Sequence, residues 1–184
     1  MCHHLHSKIM AEEKTRRDFI FVTTATVAAI GAGGLAWPMI GSFNPAADAK
    51  SGLDVDLSKL EEGQQLKVLW MNRPIFIRYR TKAEIATAQN LDVSTLIDPE
   101  TDMERLRPRP DGTYDPRFLV LIGICTHFGC VPIGESGRFD GWYCPCHGAH
   151  FDTSGRTRSF PAPTNMKIPP YHYASETVIT LERF

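Results

Sequence analysis

The chain has 184 residues, five of them cysteine and thirteen proline, and 20 basic against 21 acidic side chains give a formal net charge of −1. That balance offers no electrostatic footprint for a nucleic acid, and no internal repeat divides the chain. Beyond an N-terminal apolar stretch, residues 53–184 make 132 residues, the size of one domain.

Cys2, His3, His4 and His6 could bind metal, but they precede Met10-Ala11-Glu12-Glu13, which reads as an ordinary start, so residues 1–9 are set aside as a leader. Thr15-Arg16-Arg17-Asp18-Phe19-Ile20 has the form of a twin-arginine export signal; two plain stop-transfer arginines are the simpler alternative. No residue from Phe19 through Ala47 is charged. Twenty-odd residues at about 1.5 Å rise match the roughly 30 Å hydrocarbon core. A cleaved signal peptide has a shorter apolar region, about 7–15 residues, so residues 19–41 are expected to stay as a transmembrane anchor. Gly31, Gly33 and Gly34 suit a membrane helix, and Trp37 suits its interfacial end. Lys14, Arg16 and Arg17 flank the near end, which places residues 1–18 in the cytoplasm and the remainder across the membrane. Residues 42–52 are small and polar and read as a linker.

In the head, Leu66–Met71 and Ile75–Arg80 read as strands about an Asn72-Arg73-Pro74 turn, and Lys82–Gln89 as a short helix. Leu91–Arg117 is polar and interrupted by prolines, with Arg105, Arg107 and Arg109 expected on a solvated surface loop. Phe118–Ile124 is a continuous apolar run, a buried strand that delivers Cys125. Arg138–Tyr143 and Thr177–Leu181 add further strands. The class is all-β, with a small subdomain over about residues 121–162 inserted in a larger β base.

Two segments carry the chemistry: Cys125-Thr126-His127-Phe128-Gly129-Cys130 and Cys144-Pro145-Cys146-His147-Gly148. Cys125-x-His127 and Cys144-x₂-His147 are separated by sixteen residues. Each pair, on a tight loop, can face one metal centre, and two such loops tip to tip close a four-ligand cage. A structural Cys₂His₂ zinc site has the same donor count. Zinc sites, however, usually pair Cys with Cys and His with His, and have no use for a spare thiol in each loop. His150 and His172 are expected to be held by loop hydrogen bonds or surface packing.

The pattern resembles the Rieske signature C-x-H-x-G-C … C-x-C-H-G, and nothing is missing at these positions. With the anchor and linker, the chain resembles from Thr15 onward the Rieske subunits of ubiquinol–cytochrome c oxidoreductases, most closely over Cys125–Asn165. Gly155-Arg156 and Pro161-Ala162-Pro163 match that family's cluster-covering loop. The resemblance implies one [2Fe–2S] cluster per subunit, with Cys125 and Cys144 on one iron and His127 and His147 on the other, and a disulfide between Cys130 and Cys146. It implies that quinol docked at cytochrome b hydrogen-bonds to His147, the catalytic imidazole. One electron then passes to a membrane-anchored c-type cytochrome as protons are released, with residues 42–52 as the flexible neck on which the head swings. It further implies a dimeric complex in a bacterial inner membrane, single-pass, with the head in the periplasm. Phe128 and Pro132 would shield the cluster from water. The small Rieske subunit of a periplasmic oxidase, such as an arsenite oxidase, is the alternative.

Two departures from the family stand out. Where respiratory relatives read Gly-Ser-His-Tyr, this chain reads Gly148-Ala149-His150-Phe151. The missing hydroxyls would donate to cluster and ligand sulfur and stabilise the reduced state, so a lowered potential is expected, which opens the reaction to low-potential quinols such as menaquinol. Phe160 stands where the family has glycine, and nothing in the sequence accounts for it.

Overall fold

The computed structural model describes residues 15–43 and 52–184. They fall in two compact units, an N-terminal helix and the head.

Helix α1 spans Arg16–Ser42. It begins three residues before the uncharged run, because Thr15 and Asp18 form a capping box: the Thr15 N–H donates to Asp18 Oδ2 (2.8 Å) and the Asp18 N–H to Thr15 Oγ1 (3.4 Å). Arg16 and Arg17 therefore form its first turn. Mean hydropathy reaches 1.8 over an 18-residue window and none of its residues is buried, as a helix that meets lipid requires. The Thr23, Thr24 and Thr26 hydroxyls donate to carbonyls four residues back at 2.7–2.8 Å, so no free hydroxyl faces the apolar surroundings. The linker expected at residues 42–52 lies, from residue 44 to 51, outside the described residues, as does the leader.

The head contains three antiparallel three-stranded sheets. Strand β1 (Leu53–Asp56) pairs with β9 (Val178–Leu181), which pairs with β8 (Tyr171–Tyr173). The second sheet runs β2 (Gln65–Trp70), β3 (Arg73–Tyr79), β4 (Phe118–Ile122). The third runs β5 (Ile133–Gly134), β6 (Asp140–Cys144), β7 (Ala149–Asp152). Every residue of β4 is buried, because the second sheet is covered on both faces. Phe118, Val120 and Ile122 join Ile75 and Ile77 in a core shared with Val55, Tyr171, Ile179 and Leu181 of the first sheet. Leu119, Leu121 and Phe76 face the other way, onto Trp142, Cys144, Ala149 and Phe151 of the third. The middle sheet is thus the platform on which the cysteine-bearing subdomain sits.

The elements expected from sequence are present with displaced edges. The β2–β3 turn is at Met71-Asn72, both at positive φ (46° and 61°), two residues ahead of the proline taken to mark it. Such a two-residue turn matches strand twist, and Pro74 stands second in β3, opposite Leu69. Helix α2 (Lys82–Gln89) lies where expected, capped by Thr81 and Glu84. Strand β6 starts at Asp140, beyond the expected Arg138.

The expectation of a solvated arginine loop is overturned. Arg105 is buried, paired with Glu100, and donates to the Ser154 and Met166 carbonyls. Arg109 pairs with Asp115 and lies over the Tyr173 ring; Arg107 alone of the three is exposed as expected. Alternating arginines in a Pro-rich stretch resemble a surface pattern, but the excursion folds back over the head and needs donors for carbonyls it buries. Arg80 is the strongest case: its guanidinium grips Asp102 at 2.6 and 3.1 Å and the Pro116 carbonyl at 2.6 and 2.9 Å. Asp102→Ala should cost about 3–5 kcal/mol in chemical denaturation, because a buried guanidinium loses its counter-charge. Arg117→Ala, at the half-exposed Asp115 pair, should cost under about 1 kcal/mol.

Candidate metal centre

The two cysteine loops are versions of one turn. In the first, the Gly129 N–H donates to the Cys125 carbonyl (3.0 Å), and in the second the Gly148 N–H donates to the Cys144 carbonyl (2.9 Å). Gly129 (φ 82°) and Gly148 (φ 79°) both close the turn in the left-handed region, where a side chain is disfavoured. Platform strand β4 leads into the first loop and β6 into the second. The Cys125 N–H donates to the Cys130 carbonyl (2.8 Å), closing the first loop on itself.

The structure joins Cys130 to Cys146 by a disulfide, with Cα atoms 6.7 Å apart. Cys125 and Cys144 are free, buried thiols. The sulfurs of Cys130, Cys144 and Cys146 lie within 4.8 Å of one another. Those three are not a ligand set, since two are spent in the disulfide; the proximity shows that the clamp rests against Cys144. Burial pushes the Cys125 thiol up, the N–H groups of His127 and Phe128 oppose that rise, and the Cys144 sulfur beside it adds to it. Coordination by a cation would act against that rise, because it holds a thiol as the thiolate.

His127 and His147 meet edge to face with ring centroids 4.6 Å apart. Nδ1 of His127 is buried and has no hydrogen-bond partner. An unpaired buried imidazole nitrogen is costly, and on the loop that carries the buried Cys125 thiol it has the donor chemistry of a metal ligand. His147 is exposed. The Phe128 ring lies 4.0 Å from His127 and 5.7 Å from His147, yet is 76% exposed, so it caps the imidazoles and faces outward. Pro132 is buried beneath the loop. A cleft of about 470 Å³ opens beside the first loop between Arg73 and Lys167 and reaches Cys125 and Thr126.

The sequence also resembles known proteins at both ends. Residues 6–46 match the family described as the ubiquinol–cytochrome c reductase Fe–S subunit TAT signal, and residues 55–172 match the Rieske [2Fe–2S] domain. The ubiquinol–cytochrome c reductase iron–sulfur subunit of Rickettsia prowazekii is 49% identical over 172 residues, 92% of this chain and 94% of that one. That of Bradyrhizobium diazoefficiens is 45% identical over 174 residues, 93% and 96% of the two chains.

The chain belongs to the Rieske iron–sulfur subunits of ubiquinol–cytochrome c reductase.

The Rieske subunit of the Schizosaccharomyces pombe cytochrome b–c1 complex is 46% identical over 159 residues, 85% of this chain and 67% of that one. A solved structure titled "Hyperthermophilic respiratory Complex III" shares the fold, with a TM-score of 0.51 at 20% identity over 87% of this chain and 98% of the other. The first family match begins at residue 6, inside the stretch set aside from sequence as a leader.

Among the described residues, the other two histidines, His150 and His172, sit as expected. Nδ1 of His150 accepts from the Arg138 N–H (3.3 Å), and its ring lies 4.9 Å from that of Tyr143. His172 is exposed and 2.7 Å from Glu182. Sequence reasoning missed the polar frame behind this Rieske site: Asp152 accepts from the Ser154 N–H (2.9 Å), the Arg156 N–H (3.0 Å) and Arg156 Nε (2.9 Å), all buried. Gly155-Arg156 was visible as part of a motif, but its partners Ala88 and Glu100 lie far off in sequence.

The Cys130→Ala/Cys146→Ala double variant should lose about 3 kcal/mol in chemical denaturation, from the loop-closure entropy of a bridge spanning 16 residues. It should also release its cluster faster than the parent, as absorbance in the presence of a chelator would show.

Proposed function

We propose that Cys125 and Cys144 as thiolates, with His127 and His147 as imidazoles, hold the [2Fe–2S] cluster, and that the chain takes electrons from quinol at cytochrome b and passes them to a membrane-anchored c-type cytochrome. The observation that carries this reading is the orphaned Nδ1 of His127 on the loop of the buried free thiol Cys125, which has the second free thiol, Cys144, for a neighbour. When bound, the cluster supplies a one-electron carrier whose potential is raised by two neutral imidazoles in place of thiolates.

The chain's own residues divide the remaining work. The exposed His147 would give one ring nitrogen to the cluster and turn the other towards the quinol, orienting its hydroxyl by a hydrogen bond; that nitrogen would accept the quinol proton once it had lost its own. His127 is half-buried behind Phe128, which leaves His147 the more accessible imidazole. Phe128 and Val131, both more than half exposed, offer apolar surface to a membrane-embedded partner. Beneath them, the disulfide and the buried cysteine walls keep water off the sulfur side.

Helix α1 is the anchor in this reading, with residues 1–18 on the cytoplasmic side, residues 42–52 as the neck, and residues 53–184 as a periplasmic head on a bacterial inner membrane. Arg16 and Arg17 in its first turn support that orientation, and a twin-arginine route, which carries folded cargo, suits a head loaded with its cluster before export. The complex is dimeric. Relatives that match both anchor and head favour the quinol complex over a periplasmic oxidase subunit.

Ala149 and Phe151 are 1% and 0% exposed and share an apolar cluster with Cys125 and Cys144. At both positions the side chain lacks a hydroxyl next to the sulfur ligands, which supports a lowered potential.

His127→Ala and His147→Ala should each abolish the electron paramagnetic resonance signal of the reduced cluster; an unchanged signal in either would refute the ligand set. Ala149→Ser and Phe151→Tyr should each raise the midpoint potential by roughly 40 mV, the equivalent of one added hydrogen bond of about 1 kcal/mol. Membranes lacking their own Rieske subunit should regain quinol-dependent cytochrome c reduction with the parent chain and not with His147→Ala.

A further inference from the structure

We infer that Asn165, gripped by Asp98 and Glu100, is a positioning residue for the metal centre: it locks the loop of residues 157–165 against the Cys125 loop and thereby sets the potential and solvent access of the cluster. The inference rests on the ligand assignment proposed above.

Asn165 is 6% exposed, and its amide is engaged at both ends. Oδ1 accepts from the Thr157 N–H (2.9 Å), while Nδ2 donates to the Asp98 carbonyl (3.1 Å) and to Glu100 Oε2 (3.0 Å). Its backbone N–H donates to Asp98 Oδ2 (2.8 Å). The two acidic residues come from the excursion between α2 and β4, 67 and 65 residues away in sequence. They are not a loose acidic cluster: each oxygen named here has a donor, and Glu100 also neutralises the buried Arg105.

From Asn165 the path to the ligands is one residue long. The carbonyl of Thr164 accepts from Thr126 Oγ1 (2.6 Å), and Thr126 lies between Cys125 and His127. Thr157, held by Asn165 Oδ1, donates its own hydroxyl to the Ala162 carbonyl (3.0 Å). Ala162 is 0% exposed and packs in the same apolar cluster as Cys125 and Cys144. Pro161-Ala162-Pro163 is therefore pulled onto the sulfur side from both ends, by Thr157 and by Asn165.

The cleft beside the Cys125 loop shows what this contact withholds. Cys125, Thr126 and Thr164 all line it. If Asn165 lets go, Thr164 is free to leave Thr126, and solvent in the cleft gains the sulfur. Asparagine is required because one end must accept and the other must donate twice. Aspartate would set a third carboxylate against Asp98 and Glu100, and alanine would strand a buried N–H and two buried acceptors.

The test uses the full-length, cluster-loaded protein with Asn165→Ala, Asp98→Ala, the double variant and Asp98→Asn. We expect both single alanine variants to displace the midpoint potential and the g-values of the reduced cluster, with several-fold faster amide exchange at Thr157. The double variant should move the potential by less than the sum of the two single variants, since the side-chain and backbone bonds they remove hold the same residue, and Asp98→Asn, which keeps an oxygen acceptor, should return it towards the parent value. Parent-like potential and g-values in both single variants, with only a lower melting temperature, would overturn the inference. If Asn165→Ala fails to hold a cluster, the half-buried Asp98→Ala decides by the same criterion. A parent without the signal would refute the ligand assignment, and this inference with it.

Discussion

Two buried thiols and a buried imidazole nitrogen with no partner make an arrangement that a protein interior does not tolerate by itself. Each is a polar or ionisable group withdrawn from water, and packing offers little in return. A bound cation reverses the sign of that cost, because it takes up the lone pairs of sulfur and nitrogen that packing leaves without a partner. Much of the head can be read as the means of keeping those donors together and dry until the cluster binds. The paired glycine turns shape the two cysteine loops, the disulfide ties them together, and the sheet β2-β3-β4 supplies a floor buried on both faces.

The second theme is charge inside the head. Arg80, Arg105 and Arg156 are each buried to within 2% of full exclusion, and each is matched by a carboxylate and by backbone carbonyls. Buried ion pairs contribute little net stability against well-packed apolar groups. What they do well is fix geometry, because a planar guanidinium bonds several acceptors at defined angles. Here those acceptors are the Ala88 carbonyl in the last turn of α2 and carbonyls of the irregular segments at residues 100–116 and 153–166, which lack a ladder to satisfy them. The polar frame takes the place of regular secondary structure behind the cluster loops, and it couples an excursion far from the site to the loop that covers it.

Electron transfer with quinol chemistry sets a tension that the same architecture resolves. The sulfur side must be dry, and the imidazole side must meet a partner. Cys125 and Cys144 are nearly inaccessible, whereas His147 and Phe128 face outward on the same pair of loops. Ala149 and Phe151, neither of which carries a hydroxyl, are buried in the same apolar cluster as Cys125 and Cys144, where a single donor would have its greatest influence on charge.

The local patterns of this chain were legible without coordinates. Charge-free length marked α1, alternation and apolar runs marked the strands, and Cys–His spacing marked the centre, because each depends on neighbours within a few residues. The edges moved where a local rule outranked a statistical one: Thr15 and Asp18 drew the helix back over both arginines, and Met71-Asn72 took the turn from Pro74. The pairing of Cys130 with Cys146 was implied by family likeness, and the coordinates place the two residues within bridging distance. Arg105 was misread as solvated, since its partners Ser154 and Met166 stand 49 and 61 residues away. The sequence by itself determined which atoms can bind metal and which stretch can cross a membrane, both being properties of side-chain chemistry and short-range order. Only the tertiary structure decided which nitrogen is left without a partner, which sulfurs are dry and which loop holds the cover shut, because burial and hydrogen bonding are settled by segments that meet only after folding.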